Sequence, residues 1–79
     1  MRVIKEFSKA ETRISVFSWN NKYIVKYEQG ALEQTFKVSE MDILEESDLD
    51  HFFEGNFFDL VLERFKEMGE TLRNEIENF

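Results

Sequence analysis

Apolar and polar residues alternate along the first half of the chain, over about residues 2–38. A period of two is typical of β-strands, whose successive side chains point to opposite faces of a sheet. Two polar dipeptides, Asn20-Asn21 and Gln29-Gly30, interrupt the alternation with residues that tolerate the left-handed backbone of tight turns. The pattern predicts an antiparallel meander of three to four strands.

Each two-residue turn sets a register, because residues equidistant from the turn face each other. Around Asn20-Asn21 the predicted pairs are Arg13 with Glu28, Ile14 with Tyr27, Ser15 with Lys26, Val16 with Val25, Phe17 with Ile24, Ser18 with Tyr23 and Trp19 with Lys22. Around Gln29-Gly30 they are Tyr23 with Phe36, Ile24 with Thr35, Val25 with Gln34, Lys26 with Glu33 and Tyr27 with Leu32. Both registers place opposite charges across from each other, which favours them.

The first segment, residues 2–8, fits the same scheme if Lys9-Ala10 is its turn. The predicted pairs are then Val3 with Val16, Lys5 with Ile14, Glu6 with Arg13 and Phe7 with Thr12. Lys-Ala is a poor hairpin turn, so a longer loop or a β-bulge is the alternative. The segment is therefore either a fourth strand of the meander or a separate extension.

After Lys37 the apolar spacing changes to that of helices. Ser47 is a candidate N-cap for a short helix over about residues 48–53, and Gly55 suits the exit from it. Asn56 is a candidate N-cap for a long C-terminal helix over about residues 57–78. The apolar stripe of this helix consists of Phe58, Leu62, Phe65, Leu72, Ile76 and Phe79, widened by Val61 and Met68. We expect one α+β domain, residues 1–79, with the long helix packed on one sheet face.

The long helix exceeds the strands that it must cover. Its length is roughly 33 Å against about 27 Å for an eight-residue strand. If the helix does not cross the sheet diagonally, its last turns overhang, and Leu72, Ile76 and Phe79 need a partner. A second copy related by two-fold symmetry is one such partner, and fraying of the last turn is the alternative.

The predicted pairing assigns each strand residue to a sheet face. The helix-facing side carries Ile14, Val16, Tyr23, Val25, Tyr27, Leu32, Phe36 and Val38. The other side is mostly polar but holds a cluster of Phe17, Trp19 and Ile24 with Lys22, Lys26 and Lys37 around it. Three interpretations of this cluster compete. The short helix (Leu49, Phe52, Phe53) or the first segment covers it, a protein partner or second copy binds it, or single-stranded nucleic acid stacks on it.

Charge and composition narrow the function classes. Residues 1–39 carry a net charge of +3 and residues 40–79 a net charge of −10, which gives −7 for the chain. The total argues against nucleic acid. The separation indicates first that each half presents its own solvated surface and that the two halves attract weakly within the fold. The alternative is an acidic half that meets a basic partner or the basic half of another copy. Without cysteine or an apolar run of membrane-spanning length, and with no signal-peptide pattern, the composition is typical of a small bacterial cytoplasmic protein.

Catalytic motifs are missing from the sequence. His51 is the sole histidine, the three glycines are scattered, and the acidic run from Glu40 to Asp50 lacks the spacing of a calcium loop. We therefore expect no enzyme activity, metal or cofactor. The leading hypothesis is a non-enzymatic protein-interaction module that associates with itself, as a homodimer for example. The alternative is a single-stranded nucleic-acid-binding protein.

Overall fold

A computed structural model describes all 79 residues, Met1–Phe79. Four antiparallel strands form one sheet in the order β1 (Arg2–Lys9), β2 (Thr12–Trp19), β3 (Lys22–Gln29) and β4 (Leu32–Ser39). Two 3₁₀ segments, Glu40–Asp42 and Glu46–Phe52, lead to the long helix α1 (Gly55–Glu77). The predicted α+β fold is confirmed, and the first segment is a fourth strand of the meander.

The β2–β3 hairpin has the predicted register throughout. Val16 pairs with Val25, and Phe17 pairs with Ile24. The turn residues Asn20 and Asn21 have φ angles of 51° and 61°. Two consecutive positive φ angles are characteristic of a type I′ turn, whose twist matches that of the flanking strands.

The predicted register of the β3–β4 hairpin is wrong by two residues. Its turn residues are Gly30 and Ala31, and Gln29 pairs with Leu32. Gly30 has φ 54° while Ala31 is not left-handed, as in a type II′ turn, which favours glycine at its first position. A two-residue shift exchanges partners but leaves every side chain on its predicted face.

The shift also changes the charge pairing on β3 and β4. Glu28, rather than Lys26, faces Glu33, and Lys26 faces Thr35. Two directly opposed carboxylates destabilise a sheet. The Lys26 ammonium lies 3.8 Å from Glu28 and 3.9 Å from Glu33, so it offsets their repulsion.

The predicted register of the β1–β2 hairpin is also wrong by two residues. Its turn is Ala10-Glu11, with φ angles of 49° and 61°, and Lys9 pairs with Thr12. The Thr12 hydroxyl donates a hydrogen bond to the Ala10 carbonyl at 3.2 Å, which supports the observed turn. Consequently the predicted pairs of the first segment, including Glu6 with Arg13, are not direct neighbours.

Glu6 and Arg13 still form an ion pair, because diagonal neighbours on one sheet face remain within reach of long side chains. Their closest atoms, Arg13 Nη2 and Glu6 Oε2, are 3.3 Å apart. The predicted facing pair Arg13 and Glu28 keeps its register. The Glu28 carboxylate, however, pairs with Lys26 instead.

A β-bulge interrupts β1 near its start, whereas the sequence suggested a bulge or longer loop at the β1–β2 turn. Val3 pairs with Phe17, whereas Lys5 pairs with Val16, so Ile4 is the extra residue. Ile4 packs against the core. The bulge therefore reverses the predicted facing of Val3, which lies on the opposite side of the sheet from Val16.

The two predicted helices are present, but their caps differ from the predicted ones. Residues Glu46–Phe52 form a 3₁₀ helix whose N-cap is Glu45, not Ser47. The Glu45 backbone N–H donates a hydrogen bond of 3.1 Å to Asp48 Oδ2. This bond closes the first turn of the 3₁₀ helix. Similarly, the N-cap of α1 is Glu54, not Asn56. Gly55 has φ 63°, so the glycine makes the left-handed turn between the two helices.

The core lies between one sheet face and the two helices. Its fully buried members are Ile14, Val16, Val25 and Tyr27 from the sheet, Leu49 and Phe53 near the 3₁₀ helix, and Phe58, Val61 and Phe65 from α1. The strand residues are those that alternation assigned to this face. The Tyr27 hydroxyl donates a short hydrogen bond to the Phe52 carbonyl, so its polar end is satisfied inside the core.

We predict that Tyr27→Phe destabilises the protein by about 1–2 kcal/mol in urea unfolding, because the buried Phe52 carbonyl loses its donor. Tyr23→Phe is the matched control, since Tyr23 is a half-buried tyrosine of the same strand and face. Equal stability losses for the two variants would contradict this role of the Tyr27 hydroxyl.

The same variant pair tests the titration of Tyr27. Burial raises the pKa of Tyr27 above its ordinary value of 10.0. Above pH 10 the unfolded chain releases the phenolic proton of Tyr27, while the native state retains it. The contribution of this group to the free energy of unfolding is therefore fully present below pH 10 and is lost as pH rises further. We expect Tyr27→Phe to reduce this alkaline loss and Tyr23→Phe to leave it in place.

Candidate interaction surfaces

The sheet has one covered face and one uncovered face. Leu49 and Phe53 belong to the core, and the Phe53 ring meets the Phe7 ring edge-on at 5.2 Å. The 3₁₀ helix and α1 therefore pack on the same side of the sheet. Since β1 lies beside β2 within the sheet, neither alternative covering element lies over Phe17 and Trp19.

The uncovered face carries a compact apolar cluster with two lysines, which we call the outer patch. Its members are Val3, Phe17, Trp19, Lys22, Ile24 and Lys37. The strand pairing brings them together: Val3 faces Phe17, Phe17 faces Ile24, Ile24 faces Lys37, and Trp19 faces Lys22. Trp19 is 53% exposed and Val3 is 54% exposed, so a large part of the cluster is in contact with water.

The cations of the uncovered face fall into two groups. Arg13 is paired with Glu6, and the half-buried Lys26 is paired with Glu28 and Glu33. Lys22 and Lys37 have no carboxylate within 4.0 Å. Of the three lysines that the sequence placed around the cluster, Lys26 is thus compensated, whereas Lys22 and Lys37 give the outer patch a net positive charge.

Helix α1 runs along β4 in the opposite direction. The Phe57 ring lies 5.3 Å from the Phe36 ring, and Gln34 Nε2 donates to the Val61 carbonyl at 3.0 Å. Further along, Gly69 lies beside Leu32 at the first residue of β4. Residues of α1 beyond Gly69 therefore extend past the end of the strands that is marked by the β3–β4 turn.

The extending part of α1 carries an apolar stripe, Leu72, Ile76 and Phe79, which we call the tail seam. These side chains are 42%, 53% and 94% exposed. They continue the helical spacing of Phe58 and Phe65, which are buried against the sheet. One amphipathic stripe is thus covered over its first half and bare over its second, as the predicted overhang requires.

The surroundings of the tail seam are acidic. Residues 67–79 include the acids Glu67, Glu70, Glu75 and Glu77 against the single base Arg73, and none of them forms an ion pair. The last turn of α1 contains no basic residue. A helix C-terminus carries a partial negative charge that cations stabilise. This end of the molecule therefore carries a net negative charge, and no cation of its own chain lies in the last turn of α1.

Sequence reasoning missed Val3 as a member of the outer patch. Simple alternation placed Val3 on the helix side, and the bulge at Ile4 reverses it. The adjacent apolar pair Val3-Ile4 was the available signal, because two consecutive apolar residues do not fit a period of two in a half-exposed strand.

The histidine and the carboxylates of the chain do not converge on one point of the structure. His51 is exposed on the 3₁₀ helix. No three histidine or carboxylate side chains converge as a metal site would require, and every buried polar side-chain atom has a hydrogen-bond partner.

Comparison with known proteins identifies no relative of this chain. No protein-family model matches it, and no curated protein or solved structure is significantly similar to it. None of its helices combines the length and apolar character that crossing a membrane demands.

We predict that Trp19→Ser lowers the free energy of unfolding by about 1 kcal/mol or less, because the indole is half exposed and carries no core contact. Phe65→Ala, at a fully buried position of α1, serves as the reference and should cost about 3–5 kcal/mol. Urea unfolding of both variants measures the difference. A loss of several kcal/mol for Trp19→Ser would make Trp19 a core residue and remove the outer patch as a binding surface.

Proposed function

We propose that this protein is a non-enzymatic interaction module that associates with itself through the tail seam. One observation carries the proposal: the apolar stripe of α1 is buried from Phe58 to Phe65 and continues without cover from Leu72 onward. A helix stripe that extends beyond its own sheet is completed by another protein surface.

The energetics support association. Burying a Leu, Ile or Phe side chain contributes roughly 1.5–3 kcal/mol. Three such side chains in the tail seam therefore provide several kcal/mol, part of which offsets the loss of rotational and translational freedom on binding. Because the contact is small, we expect a dissociation constant in the micromolar range, on the order of 1–100 μM.

A second copy of the chain is the partner that the molecule itself supplies. Each copy presents one uncovered apolar stripe and one uncovered apolar patch on its sheet. Both surfaces are half exposed or more at their central residues, Ile76 and Trp19. Self-association covers the tail seam without any further protein, and the outer patch is a second apolar surface available for contact between copies.

An interaction role also suits what surrounds these surfaces. The groove beside the tail seam is open and lined by Leu32, Arg64, Glu67, Met68, Thr71, Leu72 and Glu75. Catalytic sites are typically concave and hold a few convergent polar groups with perturbed pKa values. The raised pKa of Tyr27 arises from its burial in the core, and Tyr27 does not line this groove.

We expect Leu72→Ser to weaken self-association at least tenfold, since it removes one of the three apolar side chains of the proposed contact. Leu60→Ser is a closely matched control. Leu60 lies on the same helix with 41% exposure against 42% for Leu72, but it lies outside the tail seam. Light scattering or sedimentation over a concentration series measures the mass of each variant.

The mass measurements distinguish three outcomes. The proposal requires that wild type and Leu60→Ser gain mass with concentration while Leu72→Ser stays monomeric. A wild-type protein that remains a strict monomer up to high micromolar concentration would refute self-association. Equal effects of the two substitutions would refute the tail seam as its site.

Single-stranded nucleic acid is the second candidate ligand, on the outer patch. The observation that favours it is a half-exposed Trp19 directly opposite Lys22, because bases stack on aromatic side chains while lysines contact phosphates. The net charge of −7 opposes it. Titration of a mixed-sequence single-stranded oligonucleotide at low salt should leave Trp19 fluorescence unchanged, and quenching there would instead support nucleic-acid binding.

A further inference from the structure

The tail seam and the outer patch are complementary in charge. The outer patch adds two uncompensated lysines, Lys22 and Lys37, to its apolar residues. The tail seam is flanked by four glutamates and one arginine and ends at a helix C-terminus without a cation. Two tail seams packed on each other would instead bring like charges together, which opposes that arrangement.

The two surfaces lie at opposite ends of an elongated molecule, 46 Å in its longest dimension. The outer patch lies near the Asn20-Asn21 turn, where Trp19 pairs with Lys22. The tail seam projects past the other end, beyond Leu32 and the β3–β4 turn. They also belong to opposite faces of the sheet. A tail seam therefore cannot reach the outer patch of its own chain.

We propose that the tail seam of one copy docks on the outer patch of another, which gives a head-to-tail contact. This inference rests on the proposed self-association and names the surface that receives the helix. Leu72, Ile76 and Phe79 lie against Phe17, Trp19 and Ile24. Lys22 and Lys37 face the glutamates of the helix and its C-terminal carbonyl groups.

A head-to-tail contact has a consequence that a two-fold contact lacks. A bound pair leaves the outer patch of one copy and the tail seam of the other free, so growth continues until a ring closes or an open chain forms. Wild-type protein is then expected to exceed dimer mass as concentration rises. A two-fold contact between tail seams stops at the dimer.

A mixing experiment tests the contact directly. The tail variant Leu72→Ser/Ile76→Ser keeps its outer patch, and the patch variant Lys22→Glu/Lys37→Glu keeps its tail seam. Each variant alone should be monomeric by sedimentation, with circular dichroism unchanged because all four positions are exposed. Mixed in equal amounts, they should form a one-to-one heterodimer and nothing larger, since only one productive contact remains.

The other outcomes are distinct. A patch variant that self-associates as well as wild type, with no gain of mass on mixing, would overturn head-to-tail docking while leaving self-association through the tail seam intact. A monomeric wild type would refute the underlying proposal as well.

Salt dependence gives an independent readout. Raising NaCl from about 0.05 M to about 0.5 M should weaken wild-type association several-fold, because the attraction between lysines and glutamates is screened. Contact between two acidic helix ends would strengthen under the same change. An association that tightens with salt therefore contradicts docking on the outer patch.

Discussion

The β2–β3 hairpin is the constraint on which the rest of the structure depends. Asn20 and Asn21 both adopt left-handed backbone angles, and the turn they form fixes the register of the two central strands. A slip of β2 by one residue would exchange its faces, moving Val16 into water and Trp19 toward the core while Val25 of β3 stayed in place. The buried surface under α1 and the uncovered outer patch are thus two results of one turn.

Sequence reasoning succeeded in assigning sheet faces, because the face depends only on whether a residue holds an odd or an even place along its strand. Alternation assigns the sheet faces, and a two-residue shift leaves them unchanged, so the core residues were predictable even though two of three hairpin registers were wrong. The wrong registers trace to the turns. Ala10 and Glu11 adopt positive φ angles that their residue types rarely populate, and nothing in a Lys-Ala-Glu run signals it. The bulge at Ile4 likewise depends on packing, and it alone placed Val3 in the outer patch.

The length of α1 explains why the molecule is left with unpartnered apolar surface. Residues up to Gly69 pack along β4 and bury their stripe, and the remaining turns have no sheet beneath them. Helix length and stripe were readable from the sequence. The direction of α1 along β4, which decides that the stripe emerges at the end opposite the outer patch, required the structure. As a result, the positively charged outer patch and the negatively charged tail seam lie at opposite ends of the molecule.

Trp19, the sole tryptophan, reports most directly on whether these surfaces meet. Acrylamide quenching of its fluorescence should be efficient in dilute protein, where the indole is half exposed, and should fall as concentration rises and a helix from another copy covers it. Efficient quenching that does not change from low micromolar to near-millimolar protein would contradict association at the outer patch. Quenching that is weak even in dilute protein would contradict the assignment of Trp19 to the uncovered face.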